Sequence, residues 1–288
     1  MKNFFLIVNK DKDKDMHTAM RLQKLIVERG GKCYITSINR HQDKKKHSYI
    51  YTNPDDVPEN TDAILVLGGD GTMILAARDL VKLDIPILGI NLGHLGFLAE
   101  VDEQDMEETL EKLFLEEYHV ESRMMLEGNI LGTGVKIVAL NDIVVGRSGS
   151  MRVIDYNIYV DDILLNKYRA DGIIVSTPTG STAYNMSAGG PIVEPGSDII
   201  VLTPICPHTL NTRSIVLSPD SKIEIEICED RHADNDSDGK MAYFDGNTSL
   251  SLRTGDRLCV RKSNQDTKII KLRNRSFVKI LQKKMIEE

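Results

Sequence analysis

Two segments hold most of the chemistry that this sequence offers. Gly68, Gly69, Asp70, Gly71 and Thr72 follow directly on Ala63, Ile64, Leu65, Val66 and Leu67, an apolar run of the kind that forms a strand buried on both faces. An apolar helical stretch over residues 73–81 comes next. In an open parallel sheet, ligands sit beyond the carboxyl ends of the strands, and this glycine turn lies at such an end. Glycines let the backbone approach a phosphate closely, and the free amides of a helix start favour negative charge. The segment departs from a P-loop, G-x-x-x-x-G-K-[ST], because no lysine follows it. Phosphate charge would need a metal ion or arginines from elsewhere. Asp70 at a phosphate cradle makes chemical sense if it orients a hydroxyl nucleophile or helps to hold magnesium, and phosphoryl transfer uses both. From these five residues alone, a tight turn with Asp70 as a helix cap is the competing reading.

Residues 171–191 form the second segment, rich in Ser, Thr and Gly. A strand that ends in such a turn and leads into a short helix offers amides and hydroxyls to phosphate, ribose or base edges. Tyr184 adds a flat apolar surface with a polar tip. By composition alone a long capped turn fits equally well. Asn141 and Asp142, after another apolar strand, pair an amide with a carboxylate able to accept ribose hydroxyls. Arg152 and Arg169 are candidates for phosphate contact, although an isolated arginine is more often a surface charge. His94, between Gly93 and Leu95, is equally open.

Positioning these residues requires two kinds of architecture. Residues 4–8 read as a buried strand. Met16, Ala19, Met20, Gln23, Ile26 and Val27 follow as one helical face, Gly30 and Gly31 stop the helix, and residues 33–38 read as the next strand. Residues 85–90 suggest a further strand, and Met106, Leu110, Leu113 and Phe114 a further helix. The expectation is a doubly wound, Rossmann-like α/β domain over residues 1–122. Beyond it, Ile154, Tyr156, Ile158 and Val160 alternate with polar neighbours before a turn at Asp161 and Asp162, and Ile223, Ile225 and Ile227 alternate likewise. With Asp245 and Gly246 as another hairpin turn, residues 123–265 suggest an antiparallel, β-rich, sandwich-like domain. Residues 229–239 read as its longest mobile loop and residues 40–47 as a solvated charged loop or helix end. The apolar runs at 269–272 and 277–281 either finish that sheet or return to the first domain.

At 288 residues the chain has length for roughly two domains. Hydrophobic residues at 41% and charged residues at 27% match ordinary globular usage, which argues against wholesale disorder or a fibrous fold. The 36 basic residues against 43 acidic ones give a net charge of -7, with no long basic block, so nucleic acid is a poor partner. No apolar run suits export or a membrane span, so the expectation is a cytoplasmic protein without membrane contact. Cys33, Cys206, Cys228 and Cys259 lack metal spacing and read as free thiols mostly packed in cores.

Taken together, Gly68 to Thr72 and the run from Asp171 through Pro191 resemble the NAD kinases. The five-residue motif also occurs in diacylglycerol and sphingosine kinases, whereas the second run is much narrower. Residues 91–98 and Leu140, Asn141 and Asp142 are similar to family motifs in the expected order, so the resemblance spans about residues 63–260. It implies an α/β nucleotide domain followed by a β-rich NAD-binding domain, with residues 266–288 packing back on the first. The implied reaction moves the ATP γ-phosphate to the 2′-hydroxyl of the adenosine ribose of NAD, giving NADP and ADP. A divalent metal, usually Mg2+, assists, with no protein ligands assigned to it, polyphosphate is an alternative donor, and the assembly is a homodimer or homotetramer.

By the same resemblance Asp70 accepts the hydroxyl proton, with Gly71 beside the substrate, and Gly68, Gly69, Gly71 and Thr72 cradle phosphate. Asn141 and Asp142 bind ribose portions of NAD, and Phe97 packs near the adenine. Arg152 and Arg169 lie near phosphates and Asp171 near the nicotinamide end, from a neighbouring subunit in some arrangements. Thr182, Ala183, Tyr184, Asn185, Met186 and Ser187 line the dinucleotide site, with Asn247 beside them. Asp142 stands where many relatives have Glu, Asn185 and Met186 replace Ser and Leu, and Asn247 replaces Gln, all of them mild changes. The competing readings are a lipid kinase sharing Asp70 and a non-enzymatic NAD or NADP sensor. A dehydrogenase fits less well, because residues 9–13 lack a G-x-G-x-x-G turn.

Overall fold

In a computed structural model the structure is described for residues 1–38, 51–93, 96–99, 101–149, 153–208, 212–229, 239–272 and 276–287. The charged segment at 40–47, His94, Arg152 and nearly all of the loop at 229–239 lie outside the described residues. The chain forms two compact units, one from Met1–Arg123 with Asp266–Glu288 and one from Met124–Gln265.

The first unit begins with β1 (Asn3–Asn9), α1 (His17–Glu28), β2 (Lys32–Ile38), β3 (Ala63–Gly68), α2 (Asp70–Leu80) and β4 (Ile87–Asn91). Short β5 (Val101–Asp102), α3 (Met106–Phe114) and β6 (His119–Arg123) follow, and the chain returns at its end as β19 (Thr267–Lys271) and α5 (Phe277–Glu287). The sheet runs β2-β1-β3-β4-β19-β6, with β5 beside β4. Neighbours are parallel except for β19 and β6. Phe4, Leu6 and Val8 pack with Leu22, Ile26, Leu110 and Leu113 on one face, and the intervening Phe5 and Ile7 are buried on the other. That two-sided burial explains the uninterrupted apolar runs. The chain winds from β1 outward to β2 and from β3 the opposite way to β4, so the direction of winding reverses between β1 and β3.

Three local expectations need correction. The buried stripe of α1 is Thr18, Ala19, Leu22 and Ile26, while Met20 and Val27 are more than half exposed. Ala19, Leu22 and Ile26 are separated by three and four residues and share one face, and Met20 and Val27 each lie one residue further round. Second, α2 starts at Asp70, not at residue 73, because Gly69 is extended and the glycine motif itself supplies the first turn. Third, only Cys259 is buried; Cys33 and Cys228 are partly exposed and Cys206 is exposed. Cys33 lies on the edge strand β2, and Cys206 takes a left-handed turn just beyond a strand end. The stop of α1 follows the sequence reading. Gly31 N–H donates to Ile26 O and Gly30 N–H to Val27 O, with Gly30 at φ 78°.

The second unit starts with β7 (Leu126–Ile130), β8 (Lys136–Ala139), β9 (Asp142–Arg147), β10 (Ile154–Val160), β11 (Ile163–Ala170) and β12 (Gly172–Ser176). After the short α4 (Tyr184–Ser187) come β13 (Ile200–Ile205), β14 (Ile215–Leu217), β15 (Ile223–Ile227), β16 (Lys240–Phe244), β17 (Thr248–Leu252) and β18 (Arg257–Lys262). They form two antiparallel sheets, β11-β10-β15-β18-β7-β8 and β14-β13-β12-β9-β16-β17. Tyr156, Ile158 and Ile225 of the first share one core with Val145, Ile173 and Phe244 of the second, which makes a sandwich. Asp161 and Asp162, both at positive φ, make the tight turn between β10 and β11. Among the described residues no helix is long and apolar enough to cross a membrane.

The apolar run at 277–281 is helical, and β19 belongs to the first unit's sheet, with Ile269 and Ile270 almost wholly buried. A chain ending at residue 265 would leave β4 and β6 without the strand between them. It is expected to lose the first unit's cooperative transition in thermal circular dichroism melts, while a chain ending at 272 keeps it.

Candidate functional site

In the first unit, Gly69 occupies the cap position of α2 and Asp70 its first helical position, so Asp70 is not the cap. Its carboxylate turns instead to the segment after β4. Oδ2 accepts from Phe97 N–H at 2.7 Å, and Oδ1 accepts from Leu98 N–H and Ala99 N–H at 3.1 Å each. Gly96 makes this approach possible, since a Cβ there would fall on the Asp70 carboxylate. Asn9, at the end of β1, donates through Nδ2 to Thr72 Oγ1 at 3.0 Å. Lys12, three residues further on, has its Nζ only 2.8 Å from where a Cβ on Gly69 would stand and 3.6 Å from that of Gly93. The ring of Phe97 packs against Phe277 at 6.2 Å between centroids and lies 5.2 Å from Lys284 Nζ.

In the second unit a pocket of about 290 Å³ is lined by Asn141, Asp142, Val144, Ala183, Tyr184, Tyr243, Asp245 and Gly246. Its floor is held by Asp245, whose carboxylate accepts N–H bonds from Leu140 at 2.9 Å, Asn141 at 2.7 Å and Asp142 at 3.3 Å. From the other side, Thr177 N–H donates to Asn141 O at 2.8 Å and Thr177 Oγ1 to Leu140 O at 2.7 Å. A Cβ on Gly180 would collide with the Asn141 backbone, so a glycine is required there. Asn141 is thereby pinned from both sides while its Oδ1 is buried without a hydrogen-bond partner. Burial, with the charge of Asp245 added, pushes the Asp142 carboxyl up to about 7 from its ordinary 3.8.

The remaining candidates divide. Thr182 is half-buried, and Met186 and Ser187 are exposed beside Tyr184. Asn185 is fully buried. Its Nδ2 donates to Ser181 O and Pro191 O, and its Oδ1 accepts from Thr203 Oγ1 at 2.7 Å, so its side chain braces the turn. Asn247 is exposed and donates through Nδ2 to Asp245 O. Arg169 is exposed near the end of β11 and Asp171 just before β12, whereas Asp142 pairs with Ser176 at the far end of β12. A strand of that length sets Asp171 about 15 Å from the pocket. Neither residue lines the pocket.

Residues 4–118 match the ATP-NAD kinase N-terminal domain and residues 140–272 the ATP-NAD kinase C-terminal domain. The chain belongs to the NAD kinase family. NAD kinases of Agathobacter rectalis and Lachnoclostridium phytofermentans are 45% and 40% identical to it, each over 99% of both chains. An NAD kinase from Archaeoglobus fulgidus, solved in complex with ATP, superposes at TM-score 0.75 with 26% identity, covering 98% of both chains. Yeast NADH kinase, solved with NADH, has the same fold at TM-score 0.74 and 23% identity, covering 94% of this chain and 83% of its own. As an NAD kinase the chain is a phosphotransferase, and the lipid-kinase and sensor readings fall with that assignment.

Sequence reasoning about this NAD kinase missed Tyr243 and the role of Asp245 in the pocket. Asp245 read only as a hairpin residue, and Tyr243 reaches the pocket because β16 pairs with β9, which sets it opposite Val144. The available signal was a carboxylate at a left-handed turn position, where Asp commonly bonds nearby backbone.

The raised Asp142 value has a signed consequence. The folded chain holds a proton that the unfolded chain has released, so stability falls as pH rises from about 4 to about 7, and the loss is complete above that. Asp142→Asn carries no such charge. Its melting temperature is expected to gain on the parent's as pH rises through that window, and a constant offset would reject the assignment.

Proposed function

We propose that this NAD kinase transfers the γ-phosphate of ATP to the 2′-hydroxyl of the adenosine ribose of NAD, with Asp70 receiving that hydroxyl. The observation that carries the reading is the Asp70 carboxylate. Three backbone N–H groups fix it at a helix start, and three of its roughly four lone-pair positions are thereby used, leaving one acceptor position. The hydroxyl donates there, the 2′-oxygen bonds to phosphorus as the bond to the ADP oxygen breaks, and the proton passes to Asp70 and then to solvent. A loose transition state needs little proton removal beforehand, so orientation by a rigid carboxylate matters more than basicity. Gly68, Gly69, Gly71 and Thr72 form the cradle for the transferring phosphate.

In the second unit, Asn141 and Asp142 take ribose hydroxyls of NAD, supported by the unpartnered Asn141 Oδ1 and the pocket they line. Thr182, Ala183, Tyr184, Met186 and Ser187 give the dinucleotide its wall, Asn185 acts through the turn it braces, and Asn247 holds the Asp245 turn. Phe97 offers the adenine the ring face left by Phe277 and Lys284. Arg152, Arg169 and Asp171 serve a neighbouring subunit's substrate in a homodimer or homotetramer. Exposed Ile163, Leu164 and Leu165 on the edge strand β11 favour such self-association. ATP is the donor, in keeping with the ATP complex of the Archaeoglobus fulgidus relative. Among the described residues no group of three His, Cys, Asp or Glu side chains could cage a cation, and Asp70 is already engaged by amides. A divalent ion such as Mg2+ would be carried with the nucleotide phosphates and would supply charge neutralisation there. NAD and ATP as small-molecule partners suit a cytoplasmic enzyme.

The test is NADP formation from NAD, ATP and magnesium, coupled to an NADP-specific dehydrogenase. Asp70→Asn is expected to lower turnover by about 10²–10⁴-fold while NAD still binds. Equal loss of binding, or a fully active variant, would refute the role.

A further inference from the structure

We propose that Lys12 supplies the positive charge that holds the donor's polyphosphate over the glycine turn, a role no residue of the 68–72 motif can fill. The proposal rests on the reading that donor phosphates bind at that motif. The motif itself is ill suited to a polyanion, since its one ionisable residue is Asp70 and no lysine follows. The fold corrects this from a distance in sequence. Winding reverses between β1 and β3, and the crevice beyond the carboxyl ends of two such strands is where open α/β sheets take ligands. Lys12 comes from the loop after β1 and Gly69 from the turn after β3, so both reach that crevice.

Four observations support the exposed Lys12 as a binding group. First, its Nζ lies directly over bare backbone, close to both Gly69 and Gly93, and a side chain on Gly69 would displace it. Second, its backbone is fixed: Lys12 N–H and Asp13 N–H both donate to Asn9 O at 3.0 Å, and Asn9 is tied in turn to Thr72. Third, two nearby carboxylates are occupied elsewhere. Asp13 accepts from Thr18 N–H and Ala19 N–H at the start of α1, and Asp70 from the three amides of 97–99. Among the described residues no side chain or carbonyl bonds the Lys12 ammonium. Fourth, Asn91 is only 2% exposed and its Oδ1 has no partner, yet that oxygen sits 3.9 Å from the same point above Gly69. An ammonium carries three N–H donors, so Asn91 Oδ1 can take one and orient the lysine while the others stay for phosphate, which offers only acceptors. An ammonium acts on phosphate as a point charge, so the chemistry recognised is the polyphosphate chain and not the nucleoside.

The experiment compares the parent with Lys12→Met, which keeps the stem, and Lys12→Arg, which keeps the charge. NADP formation is measured against ATP at saturating NAD, and NAD binding by equilibrium titration. ATP and inorganic tripolyphosphate binding are titrated separately, without NAD. Lys12→Met is expected to lose about 10–100-fold in kcat/KM for ATP and to weaken both ATP and tripolyphosphate binding, with NAD affinity unchanged. Lys12→Arg should recover most of the loss. Parent-like donor kinetics and binding in Lys12→Met, or equal losses for ATP and NAD, would overturn the proposal. A parent protein that makes no NADP would overturn the proposed reaction instead, and the donor titrations would still decide Lys12.

Discussion

One carboxylate organises the first unit's site. Asp70 stands at the first turn of α2 and accepts three consecutive backbone amides, which fastens the segment after β4 to the junction of β3 and α2. The arrangement constrains its surroundings: Gly96 must lack a side chain to lie against the carboxylate, and Gly69 must be extended to leave Asp70 inside the helix. A carboxylate held in this way is already oriented, so little conformational freedom remains to be lost when a hydroxyl meets it. The same residue thus stabilises the fold locally and presents its remaining acceptor position.

The second unit repeats the device with a different aspartate. Asp245 collects the amides of Leu140, Asn141 and Asp142 from a turn that lies far away in sequence, and so draws β16 onto the start of β9. Thr177 grips the same dipeptide from the β12 side. Asp142 is buried beside the Asp245 charge as a result, which explains its raised carboxyl. Both units therefore build their polar surfaces on aspartates bonded to rows of backbone N–H, a geometry that a single acidic side chain can satisfy without a partner cation.

Charge balance links the motif to the winding of the sheet. The glycine turn carries an acid and no base, and the nearest ammonium arrives from the neighbouring strand of the same sheet. Such complementarity is invisible to motif reading, because Lys12 sits in a polar stretch with no pattern of its own.

Much was nonetheless legible. The continuous apolar runs of β1, β3 and β12, the alternation in β10 and β15, the glycine stop of α1 and the motifs around Asp70, Asn141 and Tyr184 depend on local spacing and burial, which a linear sequence carries directly. The precise face of α1 did not follow, since apolar residues beside a buried stripe can remain exposed, as Met20 and Val27 do. Nor did the inward turn of Asn185, which only its contacts with Ser181, Pro191 and Thr203 reveal. The return of β19 to the first sheet, the clamp of Asp245 on Asn141, and Lys12 above Gly69 were decided by tertiary structure alone. Each joins residues far apart in the chain through strand order and register. The amino-acid sequence by itself determined which residues could do the chemistry and which elements carry them; their partners were set only when those elements packed.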